Sequence, residues 1–115
     1  GAHLEDADLR SANLQAADLR GARLARARLN GADMRGAQLG PLMLAVDRLL
    51  PADLTGACLR GVDLTGADMR RAVLTGADLS RSTLHGAQMR QAELTGTVLV
   101  GVRGMTSPDT PEVAA

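Results

Sequence analysis

Seven of the carboxylates on this chain share one local setting: Asp8, Asp18, Asp33, Asp53, Asp63, Asp68 and Asp78 each stand directly before a Leu or a Met. Regularly placed carboxylates could form an acid/base pair or a ladder of calcium ligands. The same placement suits a simpler task, because Asp and Asn in turns bond nearby backbone amides, and that is the role read here. His3 and His85 lie beside Leu4 and Leu84, far apart and without a second imidazole or thiol three or four residues on. They are not read as metal ligands. Cys58 is the only cysteine, stands before Leu59 and lacks a nearby His, so it is taken as an incidental outward thiol rather than a nucleophile. Arg recurs just after the apolar position at Arg10, Arg20, Arg35, Arg60, Arg70 and Arg90, often two residues after an Asp. Such pairs read as solvated surface charges. Whether Arg10, Arg70 and Arg90 share a face depends on the route of residues 40–51. No residue is assigned as catalytic, cofactor-binding or metal-binding, and the chain is not read as an enzyme.

Composition narrows the field further. The 115 residues fit one domain, and the 13 acidic residues balance the 13 basic ones, so no net field draws in nucleic acid or an anionic membrane. All the basic residues are Arg and there is no Lys, which suggests the coding bias of a GC-rich bacterial genome. Phe, Tyr and Trp are absent, so the aromatic anchors of a binding hot spot are missing and a partner must be met by a broad surface. A lone Cys allows no internal disulfide and fits a reducing cytoplasm. No apolar run approaches the roughly 18 to 20 residues needed to span a bilayer.

The elements that position these groups follow from a repeat. Stepping by five from Leu4 to Leu99 meets seventeen Leu and three Met, namely Met34, Met69 and Met89. Two residues before each centre stands Ala at fifteen of twenty positions, with Leu42 and Asp47 the real exceptions. Ten of the 13 Gly fall two residues after a centre. A period of five fits neither a helix nor an alternating strand. If each pentad forms one short extended side and one tight turn, the Leu and the Ala point inward and the other three residues face water. Four sides close a square coil, and coils stacked about 4.8 Å apart pair their backbones above and below. The expected interior is Leu9, Leu14, Leu19, Leu24, Leu29, Met34, Leu39, Leu54, Leu59, Leu64, Met69, Leu74, Leu79, Leu84, Met89 and Leu94. Gly supplies the positive φ of a type II turn, and Arg26, Arg71, Arg81 and Gln91 at the same place suggest other turn types there.

The pattern A(D/N)LxG, seen as Ala-Asp-Leu-Arg-Gly at 17–21, Ala-Asp-Leu-Thr-Gly at 52–56 and Ala-Asp-Met-Arg at 67–70, resembles the pentapeptide-repeat family over about residues 2–103. The resemblance implies an all-β, right-handed quadrilateral β-helix of about five coils. It also implies a non-catalytic protein-interaction or structural scaffold without a cofactor. Some relatives mimic DNA, bind DNA gyrase and protect it from quinolones or toxins, which is the alternative reading. Their negative charge is absent here.

Residues 40–51 break the pattern without losing its phase. Continuing the coil would put Leu42 in an Ala corner and bury Asp47 without a partner, so the stretch is expected to leave as a loop or a short helix between Pro41 and Pro51. Its Leu42, Met43, Leu44, Val46, Leu49 and Leu50 then cover part of the coil or meet another molecule, the former being preferred. Residues 1–103 are read as one interrupted β-helix and 104–115 as a flexible tail. Val98, Val100, Val102 and Met105 form an apolar end where two copies could pair. Nucleic acid is an unexpected partner, and no membrane is implied.

Overall fold

The computed structural model describes residues 2–104. Parallel bridges join residues twenty apart, as in His3 to Arg23, Asp8 to Arg28, Asn13 to Asp33 and Asp18 to Gln38. Across the interruption the offset becomes thirty, with Arg23 bridged to Asp53 and Gln38 to Asp68. Four ladders result, one per side: His3–Arg23–Asp53–Val73–Glu93, Asp8–Arg28–Cys58–Asp78–Val98, Asn13–Asp33–Asp63–Thr83–Arg103 and Asp18–Gln38–Asp68–Gln88. The residue before each centre is therefore the rung, and the chain is an all-β helix of stacked square coils.

One pentad explains the whole arrangement through its backbone donors. Asp53 N donates back to Ala22 O at 2.9 Å, Leu54 N donates forward to Val73 O at 2.7 Å, and Gly56 N donates forward to Thr75 O at 2.9 Å. Ala57 N closes the corner on Leu54 O at 3.0 Å. Only the N–H of Thr55 has no place in the stack, and the side chain of Asp53 accepts it at 3.0 Å. All five donors are satisfied within a segment too short to form a conventional strand. This is the physical content of Asp or Asn before the centre.

Centres and corner alanines fill the interior. Leu24, Leu29, Met34, Leu39, Leu54 and their successors through Leu79 are fully buried, as are most of the Ala two residues before them. Leu19, Leu84, Met89 and Leu94 are buried as well, while Leu4, Leu9, Leu14, Leu99 and Val102 are partly buried against the same core at its two ends. Burial of each Leu contributes roughly 1.5 to 3 kcal/mol against chain entropy. Ser82 replaces a corner Ala without penalty because its hydroxyl donates to Leu79 O at 2.6 Å.

Two expectations need correction. Arg26, Arg71, Arg81 and Gln91 do not change the turn type: their φ values, 59°, 58°, 60° and 59°, lie close to those of Gly21, Gly31 and Gly56 at 64°, 66° and 66°. The same corner hydrogen bond follows each of the four, as in Ala27 N to Leu24 O at 3.0 Å. The stacking bonds of the flanking sides hold the corner, so a side chain there takes on the strain instead of altering the turn. Residues 40–51 contain no helix. They leave the coil as an antiparallel hairpin of β1 (Leu42–Ala45) and β2 (Arg48–Leu50), with Leu42 opposite Leu50 and Met43 opposite Leu49. The positions that would have been corners are Pro41, Val46 and Pro51, and proline, with φ fixed near −65°, cannot adopt the left-handed corner. Between these two barred corners the apolar residues Leu42 and Met43 pair with Leu50 and Leu49 instead. Asp47, the residue whose burial argued for an excursion, is exposed in the turn.

Candidate interaction site

The polar residues singled out by spacing are distributed around the coil rather than gathered. Asp53 lies on the first side, Asp8 and Asp78 on the second, Asp33 and Asp63 on the third, Asp18 and Asp68 on the fourth. Each accepts the backbone N–H two residues on, from Arg10, Arg20, Arg35, Thr55, Thr65, Arg70 or Ser80, at 2.9 to 3.3 Å. Four also take a forked contact from the following guanidinium, Arg10 on Asp8, Arg20 on Asp18, Arg35 on Asp33 and Arg70 on Asp68, with closest approaches of 2.7 to 2.8 Å. Only Asp33 and Asp63 are neighbours in a ladder, and Arg35 lies between them at 2.7 Å and 4.0 Å.

Those contacts fix the protonation state. The Arg10 side chain and then its backbone N–H hold Asp8 at about 2, and Arg20 does the same for Asp18. Asp33 is held lower still by the Arg35 guanidinium and the Gln15 amide. Carboxylates kept ionised in this way have no proton to give near neutral pH. His3 and His85 are exposed on the first and third sides, and Cys58 is a half-buried free thiol on the second. Among the described residues no group of His, Cys, Asp and Glu could hold a metal ion. Arg70 and Arg90 share the fourth side with Arg20, whereas Arg10 stands with Arg60 on the second.

Apolar exposure is concentrated elsewhere. At the hairpin root, Leu42 and Leu50 are half-buried over the bare Gly21 corner, where a Cβ would meet Leu42 Cβ at 2.8 Å and the Leu50 carbonyl oxygen at 3.2 Å. The remaining apolar residues do not cover the coil: Met43, Leu44 and Leu49 are 68%, 53% and 42% exposed, and Val46 at the tip is 98% exposed. Beneath β2 lies a cavity of about 240 Å³ lined by Pro41, Leu49, Pro51, Arg71, Val73, Gln91 and Glu93. A second, of about 130 Å³, adjoins it over Arg70, Arg71 and Arg90. Sequence reasoning found the hairpin residues but not this groove. Arg71 and Gln91 follow Pro51 at twenty-residue steps, so the phase of five was the signal that places them at the corner beside the hairpin. At the far end Val98 and Val100 are exposed on the second side, Val102 is half-buried, and Met105 lies outside the described residues, as does the chain from 105 to 115. No helix among the described residues is long and apolar enough to cross a membrane.

Comparison with known proteins agrees with this architecture. The family model described as pentapeptide repeats matches residues 1–39 and 57–96 in 8 copies, on either side of the hairpin. A pentapeptide repeat protein from the cyanobacterium Cyanothece 51142 is similar at 32% identity with a TM-score of 0.76, covering 90% of this chain and 62% of that one. One from the Arabidopsis thaliana thylakoid lumen is similar at 30% identity with a TM-score of 0.80, covering 93% of this chain and 68% of that one. QnrB1, a plasmid-mediated fluoroquinolone resistance protein, is similar at 28% identity with a TM-score of 0.55, covering 88% of this chain and 45% of that one. The chain thus spans about two thirds or less of the length of these neighbours. No curated protein matches the sequence.

Proposed function

The chain belongs to the pentapeptide-repeat family, and on that premise we propose that it is a non-catalytic protein-interaction scaffold whose contact element is the hairpin of β1 and β2. On the same premise its β-helix is right-handed, has about five coils, matching the five rungs of the longer ladders, and forms one interrupted domain over 1–103. The observation that carries the reading is the exposure of Met43, Leu44, Val46 and Leu49 on one short hairpin held out from a coil whose sides pair their backbones above and below. Four large apolar side chains in water are costly unless a partner covers them. A cytoplasmic setting, and pairing of two copies through Val98, Val100, Val102 and Met105, belong to the same proposal.

The gyrase-binding alternative has the likeness to QnrB1 and a protruding element in its favour. A duplex mimic also needs a strongly acidic face. Here Glu5, Asp6, Asp53 and Glu93 on the first side are interrupted by Arg23 and Arg26, and the second and fourth sides carry more Arg than Asp. Mixed charge on every side supports the general scaffold.

A photo-cross-linking residue at Val46, expressed in the native host, tests the proposal. A discrete protein adduct is expected there and not from the same residue placed at Thr65 on the third side. Equal labelling at both positions, or turnover of a substrate abolished by one point substitution, would remove the reading. A gyrase supercoiling assay with a fluoroquinolone separates the alternative: protection that requires the hairpin would put gyrase first.

A further inference from the structure

The groove beneath β2 has two chemically distinct halves. Toward the first side its walls are Leu49, Pro51 and Val73, with Glu93 at the rim; toward the fourth side the lining passes to Arg71, Gln91, Arg70 and Arg90. Arg70 is held by Asp68 at 2.8 Å, but Arg71 makes no ion pair among the described residues. Arg71 also occupies a left-handed corner with φ 58°, a conformation that Gly would adopt with less strain. Above the groove the hairpin is a two-stranded sheet, and neither strand pairs with a third among the described residues. Such a sheet is marginal alone and gains from an added strand. Met43 stands directly opposite Leu49, so the face of the hairpin that overhangs the groove presents an apolar pair.

We propose that this groove receives an extended acidic segment of a protein partner, which adds beside β2 and seats an apolar side chain against Leu49, Pro51 and Val73. Its carboxylates lie over Arg71 and Arg90. Charge sets the orientation, because Glu93 repels an acidic residue at the first-side end while the guanidiniums attract one at the fourth-side end. Main-chain bonds to the open strand edge supply affinity, and the paired pockets supply specificity. The inference rests on the scaffold reading and names the chemistry of its partner.

The test is selection from a displayed library of random peptides about twelve residues long, long enough to span the groove as a strand, on the full chain. The best selected peptide is then measured by fluorescence anisotropy. Selected sequences are expected to carry Asp or Glu one or two residues from a Leu, Ile or Val. Their affinity should fall about tenfold in Arg71→Glu and in Leu49→Asp and weaken in high salt, while both variants keep the native melting temperature. Neutral or basic selected sequences, or unchanged affinity in both variants, would overturn the proposal. An oligothymidylate that competes with the same dependence on Arg71 would make the groove a phosphate reader and overturn it. Self-association abolished by Leu49→Asp would assign the groove to a second copy of this chain and overturn it as well. If these arms fail while the Val46 adduct still forms, the scaffold reading stands and only the groove assignment falls.

Discussion

At the scale of single residues, the function of the recurrent Asp is architectural. It accepts the one backbone N–H per pentad that coil stacking leaves over, and the part-buried contact between Asp53 and Thr55 N at 3.0 Å, joined by the Thr55 hydroxyl at 2.6 Å, isolates that role from any ion pair. Asp53→Ala should cost about 1 kcal/mol, near 4 to 8 °C in melting temperature for a domain of this size, whereas Asp53→Asn should cost much less. Asn13 already shows the substitute contact, accepting Gln15 N at 3.2 Å. The ion pairs add a pH dependence whose sign is fixed. The pKa values of Asp8 and Asp18 lie at about 2, below the ordinary 3.8, so their contribution is present above that ordinary value and is lost as pH falls toward 2. A melting temperature that drops between about pH 4 and pH 2, and drops less in Asp8→Asn with Asp18→Asn, is expected; a flat profile would contradict it. Two glycines separate backbone strain from crowding. Gly36 has φ 67° with open space around its missing side chain, so Gly36→Ala should cost only the left-handed penalty of about 1 to 2 kcal/mol. Gly21 has nearly the same φ but faces Leu42 and the Leu50 carbonyl, so Gly21→Ala should cost distinctly more.

At the scale of the element, the sequence is most informative where its period is strict. The five-residue spacing of Leu and Met dictates an interior column, since no other geometry buries every fifth residue together with its small neighbour. Residue type misleads at the corners held by Arg26, Arg71, Arg81 and Gln91, because it does not show that flanking sides can impose a left-handed φ on Arg or Gln. The interruption is legible as a departure from the coil but not as a hairpin. Proline at its two ends suggests helix boundaries, whereas the decisive fact is that Pro41 and Pro51 fall on corner positions that proline cannot occupy. The same fact governs any deletion. Joining Gly40 directly to Pro51 would place proline at a left-handed corner, so residues 41–51 should be replaced by a single Gly, which restores the twenty-residue offset between Arg23 and Asp53. That variant is expected to melt within a few degrees of the native chain, since only Leu42 and Leu50 pack on the coil. A large loss of stability would show that the hairpin is part of the core. The phase of five places Pro51, Arg71 and Gln91 at one corner, but the repeat does not show that Leu49 of the hairpin folds over them to make a groove.

At the scale of the whole molecule, stacked coils contact only their neighbours, so stability grows by addition and is lowest in the first and last coils of the described residues. Leu4, Leu9 and Leu14 at one end and Leu99 and Val102 at the other are only partly buried, in contrast to the sealed interior between them. Exposed Val98 and Val100 favour pairing of two copies at the second of these ends. Light scattering at micromolar protein should then give a dimeric mass that Val100→Glu returns to the monomer; a monomeric native chain would remove that part of the account.

On the proposed reading, a stacked coil carries function on a hairpin that it does not need for folding. The most direct measurement is the affinity of the protein cross-linked at Val46 for the native chain and for the variant with residues 41–51 replaced by Gly. Binding lost in a variant that still folds is the predicted result. Binding retained without the hairpin would contradict the claim and move the contact surface to the flat sides of the coil.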